Sequence, residues 1–356
     1  MAQARRALIF GISGMVGRNL AERLLADGGL DVVGTARAQS PGLAGVSEIH
    51  CDLTDAAATR MALAAAGPVT HAFFATWKRC ASEEENCRVN GAMIRNALAA
   101  IPGDDLRHVA LVTGLKHYLG SFEDFAKRPI DTPLVESLPR LPGPNFYYDH
   151  EDALFDSARR RGHSWSVARP HTIIGYAPGN AMNLGTAVAV YASICKATGR
   201  PFVFPGSPTQ HDGLTDVSDA RQVAAHMVWS STEPQAADTA FNVANGDYFR
   251  WRIMWQHIAA WFGLPVAPYP GRAQPMVEMM ADAADTWRRI AADNGLAEPD
   301  VTRLAPWWHV DADLGRDIEV MCDMGLSRER GFTGYVATRT SFADLFARLR
   351  AERLIP

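Results

Sequence analysis

Lysine is scarce in this chain of 356 residues: only Lys78, Lys116, Lys127 and Lys196 occur. Cysteine is nearly as thin. Cys51, Cys80, Cys87, Cys195 and Cys322 form no Cys-x-x-Cys pair and leave an odd one, so a disulfide framework is not expected and a reduced, cytoplasmic protein is. No uninterrupted run of about 18 apolar residues occurs, which argues against a membrane-spanning helix. Arg5-Arg6 ahead of the apolar residues 7–10 has the look of a signal peptide, but Gly11, Gly14 and Gly17 break the run and no cleavage site follows. Charge of one sign is also missing: a formal −4 gives no general footprint for nucleic acid or an anionic membrane. The one basic cluster, Arg159-Arg160-Arg161, closes a predicted helix, where it complements the helix dipole.

What is present is an alternation. Short apolar runs at 7–10, 31–36, 48–51, 71–75 and 108–113 are separated by Ala- and Leu-rich stretches of helical length, such as 15–26 and 88–100. That rhythm predicts an α/β fold built on a Rossmann-type doubly wound parallel sheet. A helix over 146–161 and a strand over 165–169 extend it. Beyond Gly175 the pattern loosens: a helix is expected near 185–197, a helix preceded by a short strand over 216–230, and a strand at 240–243, the last two strands rejoining the sheet. Amphipathic helices over 249–262, 275–294 and 342–353 predict a smaller, mostly helical C-terminal lobe. The expected division is a dinucleotide-binding domain over 1–175, rejoined by 211–246, and a substrate lobe from 176–210 and 247–356.

Gly11, Gly14 and Gly17 follow the first strand and open the first helix, in the G-x2-G-x2-G spacing of a dinucleotide loop. Gly11 suits a tight turn, Gly14 a close approach of backbone to pyrophosphate, and Gly17 close packing of helix on strand. Ser13, Met15 and Val16 complete the loop and the helix N-terminus that would face the phosphates. The second strand ends in Thr35-Ala36-Arg37-Ala38 with no carboxylate to take ribose hydroxyls. Arg37 can pair with a 2′-phosphate instead, assisted by the Ser40 hydroxyl, so NADPH is the expected cofactor. Asp52 and Leu53 after the third strand, and Thr76 and Trp77 after the fourth, stand where this fold lines adenine and the nicotinamide ribose.

The fifth strand delivers Thr113, Gly114 and the rare Lys116 to the same sheet edge. Asn145-Phe146-Tyr147-Tyr148 opens the next helix. No Tyr-x3-Lys, the usual spacing of short-chain dehydrogenases, occurs anywhere: Glu151 and Asp152 follow the two tyrosines by four. His117, His150 and His171 lie near these motifs at spacings that match no compact zinc pattern, so no metal is expected.

The chain resembles the progesterone 5β-reductase/iridoid synthase-like enzymes, an atypical branch of the extended short-chain dehydrogenases. The likeness runs through TGLKHY at 113–118, NFYY at 145–148, GISGMVG at 11–17, WSVARPHTIIG at 165–175, MNL at 182–184, YASICK at 191–196, FNVANG at 241–246, Trp307-Trp308 and Ile355-Pro356. It implies a catalytic pair of Lys116 and Tyr148, both also bordering the cofactor. Adjacent helix residues point about 100° apart, so only one tyrosine can face the cleft, and Tyr147 is the alternative. The resemblance further implies that Pro170, Ile173 and Ile174 hold the nicotinamide through backbone groups, and that Phe332 and Tyr335 border the substrate. The implied reaction is NADPH-dependent 1,4-reduction of the C=C bond of a small-molecule enone or enal. Two other readings compete: a carbonyl reductase or epimerase acting on C=O, and a non-catalytic NADP(H) sensor. The chain departs from the family at Ala38, where a second arginine is common, and at Ser121, Ile174, Tyr176 and His211, so the substrate does not carry over. A homodimer is the default assembly.

Overall fold

The computed structural model describes residues 5–37, 42–121, 130–180 and 182–356. Among them nine strands form: β1 (Arg6–Phe10), β2 (Asp31–Ala36), β3 (Val46–His50), β4 (His71–Phe74), β5 (His108–Val112), β6 (Ser164–Pro170), β7 (Ile173–Ile174), β8 (Ser218–Asp219) and β9 (Thr239–Val243). Seven of them make one sheet in the order β3-β2-β1-β4-β5-β6-β9, with every neighbouring pair parallel. The central strands read as continuous apolar runs because both faces of a parallel sheet are covered. Along β1, Leu8 and Phe10 enter one core while Ala7 and Ile9 enter the other, the two-residue alternation of a strand.

Helix α1 (Met15–Asp27) follows β1, α2 (Ala56–Leu63) follows β3, α3 (Glu83–Ala100) follows β4, and α4 (Lys116–Leu119) and α5 (Phe146–Arg161) follow β5. The second half contributes α6 (Leu184–Thr198), α7 (Pro208–Asp212), α8 (Ala220–Thr232), α9 (Trp251–Phe262), α10 (Met276–Met279), α11 (Ala283–Asn294), α12 (Trp307–Leu314), α13 (Gly325–Glu329) and α14 (Thr338–Ala351). The α1 and α8 helices pack together, as do α3 and α5. A third core, built on Tyr191, Trp255, Trp287, Phe342 and Phe346, unites α6, α9, α11 and α14 into a helical lobe. Strand order reverses between β1 and β4, so the loops leaving their C-terminal ends diverge and open a crevice there.

Three expectations change. The short strand at 218–219 pairs with β7 rather than with the main sheet, whereas β9 does join it beside β6. The helix expected over 275–294 is two helices. Asp311 accepts the Met276 and Val277 amides at the start of α10, and Asp282, at the break, is ion-paired with Arg200. Residues 307–314, read only as an aromatic pair, form α12. Among the described residues no helix is long and apolar enough to cross a membrane.

Candidate active site

The loop after β1 is built for close approach. Gly11 has φ +92°, and a Cβ there would lie 2.7 Å from the Ala75 carbonyl oxygen and 2.8 Å from Thr76 Cβ; one on Gly17 would lie 2.1 Å from the Gly11 carbonyl oxygen. Gly14 is the N-cap of α1 and no side chain caps that end, so the first amides of the helix are presented to the loop without a side-chain partner. Ser13 is exposed, while Met15 and Val16 are buried under the loop. This is a cradle that fits a pyrophosphate.

Around it, Arg37 stands exposed at the end of β2; Ala38 and Ser40 lie outside the described residues. Asp52, at the end of β3, accepts the Thr54 amide at 2.9 Å and its hydroxyl at 2.8 Å. These bonds, with the charges of Lys78 and Arg37, hold its carboxyl below the ordinary range. Leu53 is buried in the core beneath. Asn90 of α3 fixes the loop after β4 by accepting the Lys78 amide at 2.7 Å and donating to its carbonyl at 2.8 Å. In that loop Trp77 stacks on Phe146, ring centroids 5.3 Å apart, so packing accounts for it.

At the end of β5 the Thr113 hydroxyl is buried with no hydrogen-bond partner among the described residues, and Lys116 starts α4. Lys116 Nζ is 2.5 Å from Glu83 Oε1 in a pair whose side chains are 2% and 4% exposed. It also lies 4.5 Å from the Phe146 ring centroid and 5.8 Å from that of Tyr147. Asn145 ties this turn to α5: its Oδ1 accepts the Tyr147 amide at 3.1 Å and its Nδ2 donates to the Lys116 carbonyl at 2.8 Å.

The two tyrosines part here. The Tyr148 hydroxyl donates to the His117 carbonyl at 2.7 Å and accepts the Leu141 amide at 2.9 Å, while Arg140 lies over its ring. Tyr148 is thereby engaged in joining the lysine turn to the segment before α5. The Tyr147 hydroxyl instead lies over Gly114, 3.3 Å from where a Cβ would sit, and the Pro170 carbonyl oxygen is 3.1 Å from the same point. Tyr147, Gly114 and Pro170 thus meet between the C-terminal ends of β5 and β6. Burial, and then the charge of Glu83, push the Tyr147 phenol well above its ordinary range. The geometry favours Tyr147, the alternative of the pair, over Tyr148.

The loop after β6 divides its side chains among three tasks. Arg169 donates to Glu151 at 2.9 Å. Burial alone would raise Glu151, but bonds and charges from His117 and Arg169 hold its carboxyl at about 2. His171 Nδ1 is 2.7 Å from Asp216, and Arg316 donates to its Nε2 at 3.2 Å, which leaves the ring proton on Nδ1. Ile173 is partly buried beside Met15 and Ala177, while Ile174 points into the lobe core, which leaves only its backbone to a ligand. The three histidines near the motifs sit apart: His117 beside Glu151, His150 between Phe74 and Phe146, His171 on Asp216. Among the described residues no group of three or more His, Cys, Asp or Glu side chains could hold a metal.

Phe332 does not border this crevice. It is buried against His226 and Trp229, ring centroids 4.7 and 5.3 Å away, while Tyr335 is 59% exposed beside Gly246. Glu83 escaped the sequence reading, which took Asn145 only as the first residue of the segment at 145–148. Glu83 opens an acidic triplet after Ser82, which reads as ordinary dipole compensation; Asn145 is the N-cap of α5.

Residues 45–356 match a family described as a PRISE-like Rossmann-fold domain. The chain is 39% identical to an (S)-8-oxocitronellyl enol synthase of Nepeta cataria, over 98% of this chain and 93% of that one. It is equally 39% identical to a 3-oxo-Delta(4,5)-steroid 5-beta-reductase of Arabidopsis thaliana, with the same coverage. Among solved structures, a UDP-N-acetylglucosamine 4-epimerase from Methanobrevibacter ruminantium superposes with a TM-score of 0.68 at 13% identity, covering 98% of this chain and 99% of its own. The Bordetella bronchiseptica enzyme WbmH in complex with NAD+ does so at 0.65 and 14%, covering 97% and 98%. These two likenesses establish the fold alone.

Proposed function

Because the chain belongs to the PRISE-like Rossmann-fold family, we propose that it reduces the activated C=C bond of an enone or enal by 1,4-addition, with NADPH as the electron source and Tyr147 and Lys116 as its catalytic pair. An enol and a reduced 3-oxo-Δ4,5 compound, the outcomes in the relatives' names, are one chemistry at two stages. Hydride added to the β-carbon of a conjugated carbonyl moves the alkene electrons to oxygen; protonation then yields either the enol or the saturated ketone. Bound on the Gly11–Gly17 cradle, NADPH supplies that hydride. Each turn consumes one NADPH and one proton.

The observation that carries the assignment is the Tyr147 hydroxyl, held over Gly114 at the end of β5 with Lys116 beneath its helix. A donor at this place stabilises negative charge as it gathers on the carbonyl oxygen, and matters most when that charge has developed. The raised phenol keeps its proton, so Tyr147 acts as a hydrogen-bond donor while the α-carbon takes its proton from solvent. Exposed Arg37, at a strand end where a carboxylate would favour NADH, supports the choice of NADPH, whose 2′-phosphate it could pair with. The buried Thr113 hydroxyl, without a partner among the described residues, is a further contact available to bound cofactor or substrate.

The test is steady-state reduction of a reactive enone, followed by NADPH absorbance. Tyr147→Phe is expected to lower kcat by roughly 10²–10³, the effect of one oxyanion-stabilising hydrogen bond, with NADPH affinity kept. Tyr148→Phe is expected to retain most of the rate. The reverse ranking would return the role to Tyr148, and full rate in both would leave catalysis to hydride positioning alone.

A further inference from the structure

We propose that Glu83 is a positioning residue: paired with Lys116, it cancels the ammonium charge at the Tyr147 phenol and keeps that phenol a protonated donor. The proposal rests on the reading of Tyr147 given above and extends it to a residue that none of the motifs contains.

Glu83 is the first residue of α3, buried behind the N-cap Ser82. Its Oε1 accepts from Lys116 Nζ at 2.5 Å and from the Phe146 amide at 2.9 Å; its Oε2 accepts from Asn86 Nδ2 at 3.1 Å. One carboxylate therefore joins the start of α3, the lysine turn and the first residue of the helix that carries Tyr147. A structural role alone would call for an acceptor at this place. The charge has a separate consequence.

A lone ammonium beside a phenol favours the phenolate, because opposite charge stabilises the ionised form. Phenolate cannot donate a hydrogen bond, and it repels an enolate oxygen. With Glu83 in contact with Nζ, the phenol faces a nearly neutral pair. Burial, followed by the negative charge of Glu83, then drives its titration upward. Another cation on α3, Arg95, lies beside Gly91 and acts on His150, and among the described residues no contact places it against the Tyr147 ring. Cys87 on α3 is held protonated, its thiol pushed up to about 12 by burial and by Asp149. On α5, His150 is held neutral, lowered to about 3 by burial. His117 on α4 and Glu151 on α5 face one another. Lys116 is the one cation that these contacts place against the Tyr147 ring, and Glu83 decides how much of its charge the phenol feels.

The experiment follows kcat for enone reduction from pH ~6 to ~10, a range reaching the ordinary phenol pKa, in the wild type, Glu83→Gln and Glu83→Gln/Lys116→Met. Gln keeps an acceptor for the Phe146 amide and removes the charge, together with the bond that Oε2 accepts from Asn86 Nδ2. Wild-type kcat is expected to hold across the range, because its phenol titrates well above the ordinary value, and Glu83→Gln to lose activity below pH ~10, where the uncompensated ammonium brings the phenol. The double variant, slower throughout, is expected to regain the wild-type shape because both charges are gone. A merely structural Glu83 cannot produce that recovery. Superimposable wild-type and Glu83→Gln profiles overturn the proposal, as does an alkaline loss that persists in the double variant. Should Glu83→Gln not fold by circular dichroism, Glu83→Asp, which draws the carboxylate back from Nζ, is expected to show a smaller alkaline loss within the same range, and a profile as flat as the wild type's overturns the proposal. Full rate in Tyr147→Phe would instead remove the reading beneath it, whatever the Glu83 variants do.

Discussion

Tyr147 and Tyr148 differ by one position and about 100° of helix rotation, and that rotation is set from outside α5. Asn145 fixes it to the Lys116 carbonyl, Glu83 holds the Phe146 amide, and the Leu141 amide and His117 carbonyl take the Tyr148 hydroxyl. These partners lie 7 to 63 positions from the residues they hold, so the sequence could say that one tyrosine faces the crevice but not which. Lys116 was legible because lysine is rare here and follows an apolar strand; its partner Glu83 was hidden among three consecutive acids. Arg37 stood out for a simpler reason: a strand end in this fold takes either an acid or a cation. Arg37→Ala is expected to weaken NADPH binding roughly ten- to a hundredfold through loss of a charge-assisted contact, and to leave NADH binding unchanged. Fluorescence titration with the two nucleotides checks it, and an equal loss for both would show that Arg37 does not read the 2′-phosphate.

Elements were readable where their own residues determine them. α5 was bounded at 146–161 by pattern alone, because Asn145 caps one end and Gly162, at φ 73°, ends the other. α3 begins five residues earlier than the apolar pattern at 88–100 indicates, since Ser82 caps a polar first turn. The break between α10 and α11 was unreadable: it depends on Asp311 and Arg200, neither of them near in sequence. The α5 cap carries a prediction. Asn145→Ala removes the Tyr147 amide's acceptor and leaves the Lys116 carbonyl without its donor, so it is expected to lower stability by roughly 0.5–2 kcal/mol. Urea denaturation measures this. An unchanged midpoint would mean that the Lys116 turn and α5 are held together by other contacts.

At the scale of the molecule, five histidines are buried as neutral groups. Burial, then the charges of Arg5 and Arg107, lowers His71 to about 4, and burial, then His71 and His163, takes His108 to about 3. His150 and His226 also lie near 3, and His163 is shifted the same way, all chiefly by burial. In the unfolded chain each titrates near 6.5, so below that value the unfolded state binds protons that the folded state refuses. This stabilisation is complete above pH ~6.5 and is lost toward pH 4 and 3, at about 1.4 kcal/mol per pH unit for each fully titrating histidine. Glu151 acts lower, its contribution disappearing as pH falls from its ordinary carboxyl range toward about 2. Urea midpoints are therefore expected to fall steeply between pH ~6.5 and ~4.5; equal midpoints would contradict the buried-neutral assignment. Function at this scale is the direction of hydride delivery across the crevice between β1 and β4, and one measurement tests it most directly. Enone is reduced with NADPH carrying deuterium at nicotinamide C4, and the product is examined by NMR. Conjugate reduction places deuterium on the β-carbon of a saturated ketone; deuterium on the carbinol carbon of an allylic alcohol would make the protein a carbonyl reductase and contradict the account.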